Sequence, residues 1–252
     1  MKYKTDNLIF KNGAASFYRD GKYIIQAFSG APYSRALAEA YAHTFAYEAG
    51  LPVPRTVDVF NADDCCAIVY ECGECRPLSD LVADSWSEEL LDSFTRLQVS
   101  VHGRKAPRMH KLRERMHEKL GASPVDPTRR YELHNELDSL PKHNKLCHGS
   151  FLPENILVTE DGRFLIVGWS HATQGNASAD ASYTYLNLLL RFGAVTAESY
   201  LSLFCTVSDI GHEYVERWLP IVAATMLAGR DSQDREILNQ FITKPRKRAK
   251  NV

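Results

Sequence analysis

The chain has 252 residues, 44% of them hydrophobic and 24% charged, with a formal net charge of −1. That is enough apolar sequence for a packed core in one large domain or two small lobes. The near-zero charge excludes a global electrostatic pull toward nucleic acid or an acidic membrane.

The first third reads as strands with one helix. Residues 8–10 form a short strand, followed by a turn at Lys11-Asn12-Gly13. A second strand over residues 16–19 runs into Asp20-Gly21, a strong hairpin signal, and residues 22–28 return as a β-rich strand. Residues 34–49 carry helical spacing at Leu37, Tyr41, Phe45 and Ala49. Gly50 stops this helix, and Pro52 and Pro54 prevent its restart. Residues 55–60 and 67–70 are two further strands around a turn at Asn61-Ala62-Asp63-Asp64. A linker follows over residues 71–77. The remainder is mostly helical, with periodic stretches at 78–83, 87–102, 112–120 and 128–140. A two-strand element at 156–158 and 164–167 turns at Glu160-Asp161-Gly162. Helices resume at 179–192, 197–207 and 213–227. The layout predicts an α+β bilobal chain: an N-terminal antiparallel sheet lobe with one helix (1–75) and a larger, mainly helical lobe (76–252).

No stretch approaches the roughly 18 consecutive apolar residues of a membrane span. No apolar leader core follows the first residues either, so the chain reads as cytoplasmic. The tail Lys244-Pro245-Arg246-Lys247-Arg248-Ala249-Lys250 reads as a frayed, solvated terminus rather than a phosphate-binding patch. Six cysteines are present. Cys72-Gly73-Glu74-Cys75 is a C-x-x-C, but adjacent Cys65 and Cys66 are poorly spaced to complete a zinc site. The pair sits in a linker rather than at a helix N-terminus, where thioredoxin-like sites lie. Reduced thiols without a chemical role are the expectation, and a redox or metal module is the alternative.

One segment carries more information. Cys147-His148-Gly149-Ser150-Phe151-Leu152-Pro153-Glu154-Asn155-Ile156-Leu157-Val158, ending in Val167-Gly168-Trp169, resembles the catalytic loop of the aminoglycoside phosphotransferase and choline kinase families. Their pattern is H-G-D-x-x-x-x-N, a β-turn-β, then I-D-W. Gly50-Leu51-Pro52-Val53-Pro54-Arg55 is similar to the break after the family's first helix. Gly175 and Asp180 partly match its G-D-P-x-x-D segment. The resemblance spans roughly residues 8–205 and implies the protein-kinase-like fold.

It also implies roles. In such folds a carboxylate orients the acceptor hydroxyl, oxygen ligands hold Mg²⁺ against the phosphates, and a strand lysine paired with a helix glutamate grips them. The base position here is Ser150, whose hydroxyl has no useful basicity near neutral pH. One metal-ligand position is Gly168, without a side chain. The strand lysine position is Gln26, uncharged, and Lys22 at the turn is a poor substitute. Glu39 stands at the helix glutamate and Asn155 at the remaining metal ligand; Glu71, at the start of the linker, joins Gln26, Glu39, Asn155 and Gly168 as a nucleotide-binding candidate, and His148 and Asp180 stand where loop-bracing residues do. An amide alone holds Mg²⁺ poorly, because that hard cation favours carboxylate and phosphate oxygens.

The resemblance therefore implies a pseudokinase that binds a nucleotide, a small molecule or a protein partner, with ATP and Mg²⁺ binding weakened or lost. Neither nucleic acid nor membrane is an expected partner. The alternative is an active ATP-dependent phosphotransferase acting on an aminoglycoside, choline or related hydroxyl, with Glu154, Ser170 or His171 recruited to the chemistry. Asp209, Glu213 and Glu216 are candidate grips for a cationic acceptor. Trp169, Phe151, Trp86 and Trp218 would be core packing rather than an aromatic cage for a quaternary ammonium.

Overall fold

The computed structural model describes residues 4–12, 15–62, 65–83 and 85–243. The basic tail, Gly13 of the first turn and Asp63-Asp64 of the second lie outside the described residues. Contacts divide the chain into two compact units: residues 1–90 with 148–172, and residues 91–147 with 173–252. The sequence places the boundary at 75/76, inside the first unit, and the loop resembling a catalytic loop belongs to that unit as well.

The first unit is built on a five-stranded antiparallel sheet in the order β1-β2-β3-β5-β4. The strands are β1 (Leu8–Asn12), β2 (Ala15–Asp20), β3 (Tyr23–Ser29), β4 (Arg55–Ala62) and β5 (Cys65–Glu71). Asp20 pairs with Tyr23 across the two-residue turn Gly21-Lys22, and Gly21 takes φ 57°, a value that favours glycine. Strand alternation sorts the side chains onto two faces. Ile24 and Phe28 join Phe17, Ile68 and Tyr70 on one, while Ile25 and Ala27 meet Ala67 and Val69 on the other. The two-residue period puts Gln26 on the face of Ile24, Phe28 and Tyr70.

Helix α1 (Tyr33–Glu48) packs on this sheet. Its buried residues are Ala36, Glu39, Ala42, His43 and Ala46. The apolar stripe expected from the sequence is corrected here, for Leu37 and Tyr41 are 48% and 50% exposed. Three alanines let α1 approach the sheet closely, and the polar residues between them are carried inside. After α1, β6 (Cys75–Pro77), α2 (Leu78–Leu81), β8 (Ile156–Thr159) and β9 (Phe164–Ile166) complete the first unit, with β6-β8-β9 forming a small sheet. The β8–β9 turn lies at Gly162, as expected, while β6 was not anticipated.

The second unit is helical. It contains most of α3 (Glu88–His102), α4 (Leu112–Gly121), α5 (Pro127–Ser139), α6 (Ala177–Ser208), α7 (His212–Glu216), α8 (Leu219–Met226) and α9 (Ser232–Thr243). The short strands β7 (Lys145–Cys147) and β10 (Thr173–Gly175) pair antiparallel within it. Asp126 caps α5 by accepting from the N–H groups of Thr128 and Arg129, with Pro127 at the first helical position, the arrangement that satisfies otherwise unpaired donors. The single helix expected over 213–227 is instead α7 and α8, and α9 was not expected.

By length and composition α6 could cross a membrane, with a window of mean hydropathy 1.3, a length not anticipated from the sequence. However, Gly193 (φ 82°, ψ 178°) breaks its helical geometry, separating the two periodic stretches read from the sequence.

Candidate functional site

The loop after β7 is shaped by two glycines. Gly149 has φ 77°, and a Cβ there would lie 2.9 Å from the His171 carbonyl carbon and closer still to its oxygen. Gly149→Ala is therefore expected to destabilise the chain by about 3 kcal/mol, from the disfavoured φ and the backbone clash; urea unfolding measures it. His148 is fully buried. Its Nδ1 accepts from the Ser150 N–H at 3.3 Å, so Nε2 carries the proton and donates to the Val167 carbonyl at 3.0 Å. Phe151 and Trp169 stand edge-on to its ring, with centroids 5.7 and 4.6 Å away. Those two aromatics are completely buried and pack the loop, as expected of them. Trp218 is likewise buried, in the helical unit.

Asn155, 2% exposed, ends the loop, and its amide is engaged at both ends. Nδ2 donates to the Ser150 carbonyl at 2.8 Å and lies 3.4 Å from Ser150 Oγ. Oδ1 accepts from Asn12 Nδ2 at 2.6 Å. Asn12 is the last residue of β1, at the first turn of the sheet. Gly168 (φ 79°, ψ 47°) lies directly beside this amide, and a Cβ on Gly168 would come within 2.6 Å of Asn155 Cγ. The Asn155 side chain thus occupies the space that a side chain at 168 would need. Ser150, Asn155 and Gly168 converge, and Asn12 joins them. Sequence reasoning treated Asn12 only as a turn residue.

Behind the loop lies a second polar cluster. Glu39 is fully buried in α1 and accepts from the Trp169 N–H, while its Oε2 makes no hydrogen bond. Burial pushes its carboxyl up to about 7, against the opposing pull of the Trp169 and Ser170 groups and of Arg35. Gln26 does not engage Glu39; its Oε1 accepts from Tyr70 OH at 2.8 Å. His43 stacks on Tyr70 at 4.5 Å and bonds the Pro54 carbonyl at 2.6 Å. Burial lowers His43 to about 4, so the ring is neutral and Nε2 is the donor.

The remaining sequence candidates have partners of their own. Glu71 ends β5 and pairs with Lys22 at 2.6 Å and with Arg55. Lys22 is thereby committed to the hairpin edge. His171 is exposed. Asp180, 3% exposed, lies in the helical unit and bonds His102 Nε2 at 2.9 Å. His102 was missed because its partner stands 78 residues away and nothing local marks it. Asp209 ends α6 with φ 54°, and Glu216 lies 3.4 Å from His212. Among the described residues no group of three or more His, Cys, Asp or Glu side chains is placed to hold a metal ion.

An antiparallel sheet with one packed helix, a larger helical part and a loop of H-G-x-x-x-x-x-N form define a chain of the kinase-like α+β fold. The chain belongs to the phosphotransferase enzyme family (APH), which matches residues 9–220. Among solved structures it is similar to the choline kinase LicA from Streptococcus pneumoniae, at 14% identity and a TM-score of 0.66, covering 92% of this chain and 90% of that one. LicA in complex with AMP matches at 14% identity and 0.65, covering 94% and 90%. An aminoglycoside-3'-phosphotransferase of type VIII matches at 17% identity and 0.65, covering 89% and 93%. A search of curated protein sequences finds no significant match.

Proposed function

We propose that this chain is a catalytically impaired member of its family, a pseudokinase that binds a nucleotide or small molecule without productive phosphoryl transfer. The observation that carries this reading is Asn155, whose amide is bonded to Asn12 on one side and Ser150 on the other. To ligate Mg²⁺, Asn155 Oδ1 would have to share its lone pairs with the Asn12 amide that already bonds it, and Gly168 supplies no carboxylate beside it. These residues do not fit a hard cation that takes oxygen ligands, most readily carboxylates. Ser150 supplies no base, and Gln26, occupied by Tyr70, supplies no charge for a phosphate. A base and an electrostatic clamp are each worth about 10²-fold or more in rate, so their joint loss leaves little chemistry.

A nucleotide is the first ligand to test, because the related fold of LicA is found with AMP. Calorimetric titration with AMP and ATP should give affinities that Mg²⁺ does not improve. Incubation with ATP, Mg²⁺ and aminoglycoside or choline acceptors should give no phosphorylated product. Mg²⁺-dependent ATP affinity together with acceptor phosphorylation would sink this reading in favour of an active phosphotransferase. Failure of every nucleotide and small acceptor to bind would also overturn it, leaving a protein partner as the ligand.

A further inference from the structure

Cys72 and Cys75 bracket the turn between β5 and β6. Both are half-buried free thiols, and the Cys72 S–H donates to Cys75 Sγ at 3.0 Å. The turn is held from two sides. The N–H groups of Cys72 and Gly73 donate to the Lys22 carbonyl at 3.1 and 3.0 Å. Arg19, reaching from β2, donates to the Gly73 and Cys75 carbonyls at 2.6 and 2.5 Å. The same guanidinium lies 3.8 Å from Cys75 Sγ, and its side chain is only 13% exposed.

This geometry makes the two sulfurs unequal. Cys75 receives a donated S–H bond and then a neighbouring cation, each of which favours its thiolate; its partial burial and exposed Glu74, 3.4 Å from Arg19, oppose them. These influences bring Cys75 down to about 7. Cys72, which gives its proton to the neighbouring sulfur, moves up, despite Arg19 and Arg163. The sequence offered no helix N-terminus to activate a thiol here. Arg19 supplies the positive potential that such a terminus provides elsewhere.

We propose that Cys72 and Cys75 form a reversible dithiol–disulfide couple, with Cys75 the attacking thiolate, Cys72 the resolving thiol and low-molecular-weight disulfides the oxidant. The Cys75 thiolate attacks one sulfur of the small disulfide, making a mixed disulfide and releasing one thiolate. Cys72 then loses its proton and attacks Cys75 Sγ, breaking the mixed bond and releasing the second thiolate. Two electrons pass from the protein dithiol to the small disulfide, and two small thiols leave. Three of the other cysteines are placed differently. Cys66 and Cys147 are fully buried, their thiols turned to carbonyl oxygens, and burial raises the Cys205 thiol. The couple is independent of whether the chain transfers phosphate.

The test uses the full chain with oxidised glutathione as the probe. Intact mass should show loss of two hydrogens, reversed by dithiothreitol, and peptide mapping should place the bond between Cys72 and Cys75. Cys72→Ser should trap a persistent glutathione adduct on Cys75. In the unmodified chain near neutral pH, Cys75 should alkylate about fivefold faster than an ordinary thiol, its larger thiolate fraction offset by lower nucleophilicity. Stable adducts on the wild-type chain, oxidation spread over other cysteines, or no mass change would each overturn the proposal. So would alkylation of Cys75 at the rate of Cys205, a reading that needs no variant.

Discussion

Glu39→Gln is expected to raise the unfolding free energy by about 3 kcal/mol at about pH 8 and to leave it unchanged at about pH 4. Burial is the leading cause of the rise in Glu39 from 4.5 to about 7. The folded chain therefore holds this proton more tightly than the unfolded chain does. The stability this confers is fully present below the unfolded value of about 4.5 and is lost as pH climbs through about 7. Glutamine keeps an oxygen for the Trp169 N–H and places an amide where Oε2 has no partner.

His43 acts in the opposite direction. Its folded value of about 4 lies below the ordinary 6.5, so its contribution is complete above about 6.5 and is lost as pH falls through about 4. In the wild-type chain these two slopes oppose each other across the same window. Glu39→Gln removes one and leaves the other, so the variant should gain about 3 kcal/mol between about pH 4 and pH 7. Urea unfolding at a series of pH values measures both effects. A wild-type-to-variant difference that stays constant with pH would mean that Glu39 is not carried into the fold as a strained acid. Gln26 bonds Tyr70 and not this carboxylate, and the glutamate holds the backbone at Trp169.

Much of this fold was legible because its punctuation is local. Asp20-Gly21 and Asp161-Gly162 mark their turns, and the Gly50-Leu51-Pro52 break ends α1. The resemblance of residues 147–158 and 167–169 to the family's catalytic loop implied that Ser150, Asn155 and Gly168 come together, and they do. Three-residue strands such as β6, β7 and β10 are too short to show periodicity. The face of α1 was misjudged for a different reason. Its interior is lined by alanines, a glutamate and a histidine, while larger apolar residues point to solvent, so the polarity pattern runs against the packing. Neither the Asn12–Asn155 bond nor the His102–Asp180 bond has a local signature. Each joins residues far apart in sequence, and only the tertiary fold selects the partner. The linker thiols were visible as a motif, but the S–H bond from Cys72 to Cys75 and the guanidinium of Arg19 beside it were not.

The Asn12–Asn155–Gly168 contact yields the second large effect. Gly168→Ala is expected to cost about 3 kcal/mol: about 1 from a side chain at φ 79° and the rest from displacing a buried, fully bonded amide. Asn12→Ala alone should cost about 1 kcal/mol, because it leaves Asn155 Oδ1 short of a donor. Combined, the two should cost about 1 kcal/mol less than their sum, since an Asn155 released from Asn12 can swing away from the new methyl group. A double-mutant cycle in urea measures this coupling, and strict additivity would mean that Asn155 does not transmit the clash. The same contact governs any attempt to rebuild the metal site. Ser150→Asp with Gly168→Asp restores two carboxylates but forces the second against Asn155, so Mg²⁺ should still fail to tighten nucleotide binding. Adding Asn12→Ala frees Asn155 Oδ1 as a ligand and opens room beside residue 168. On the proposed pseudokinase reading, Mg²⁺-dependent nucleotide affinity should then appear in the triple variant and not in the double, because the Asn12–Asn155 hydrogen bond, and not the missing acids alone, would compete with the cation for Oδ1.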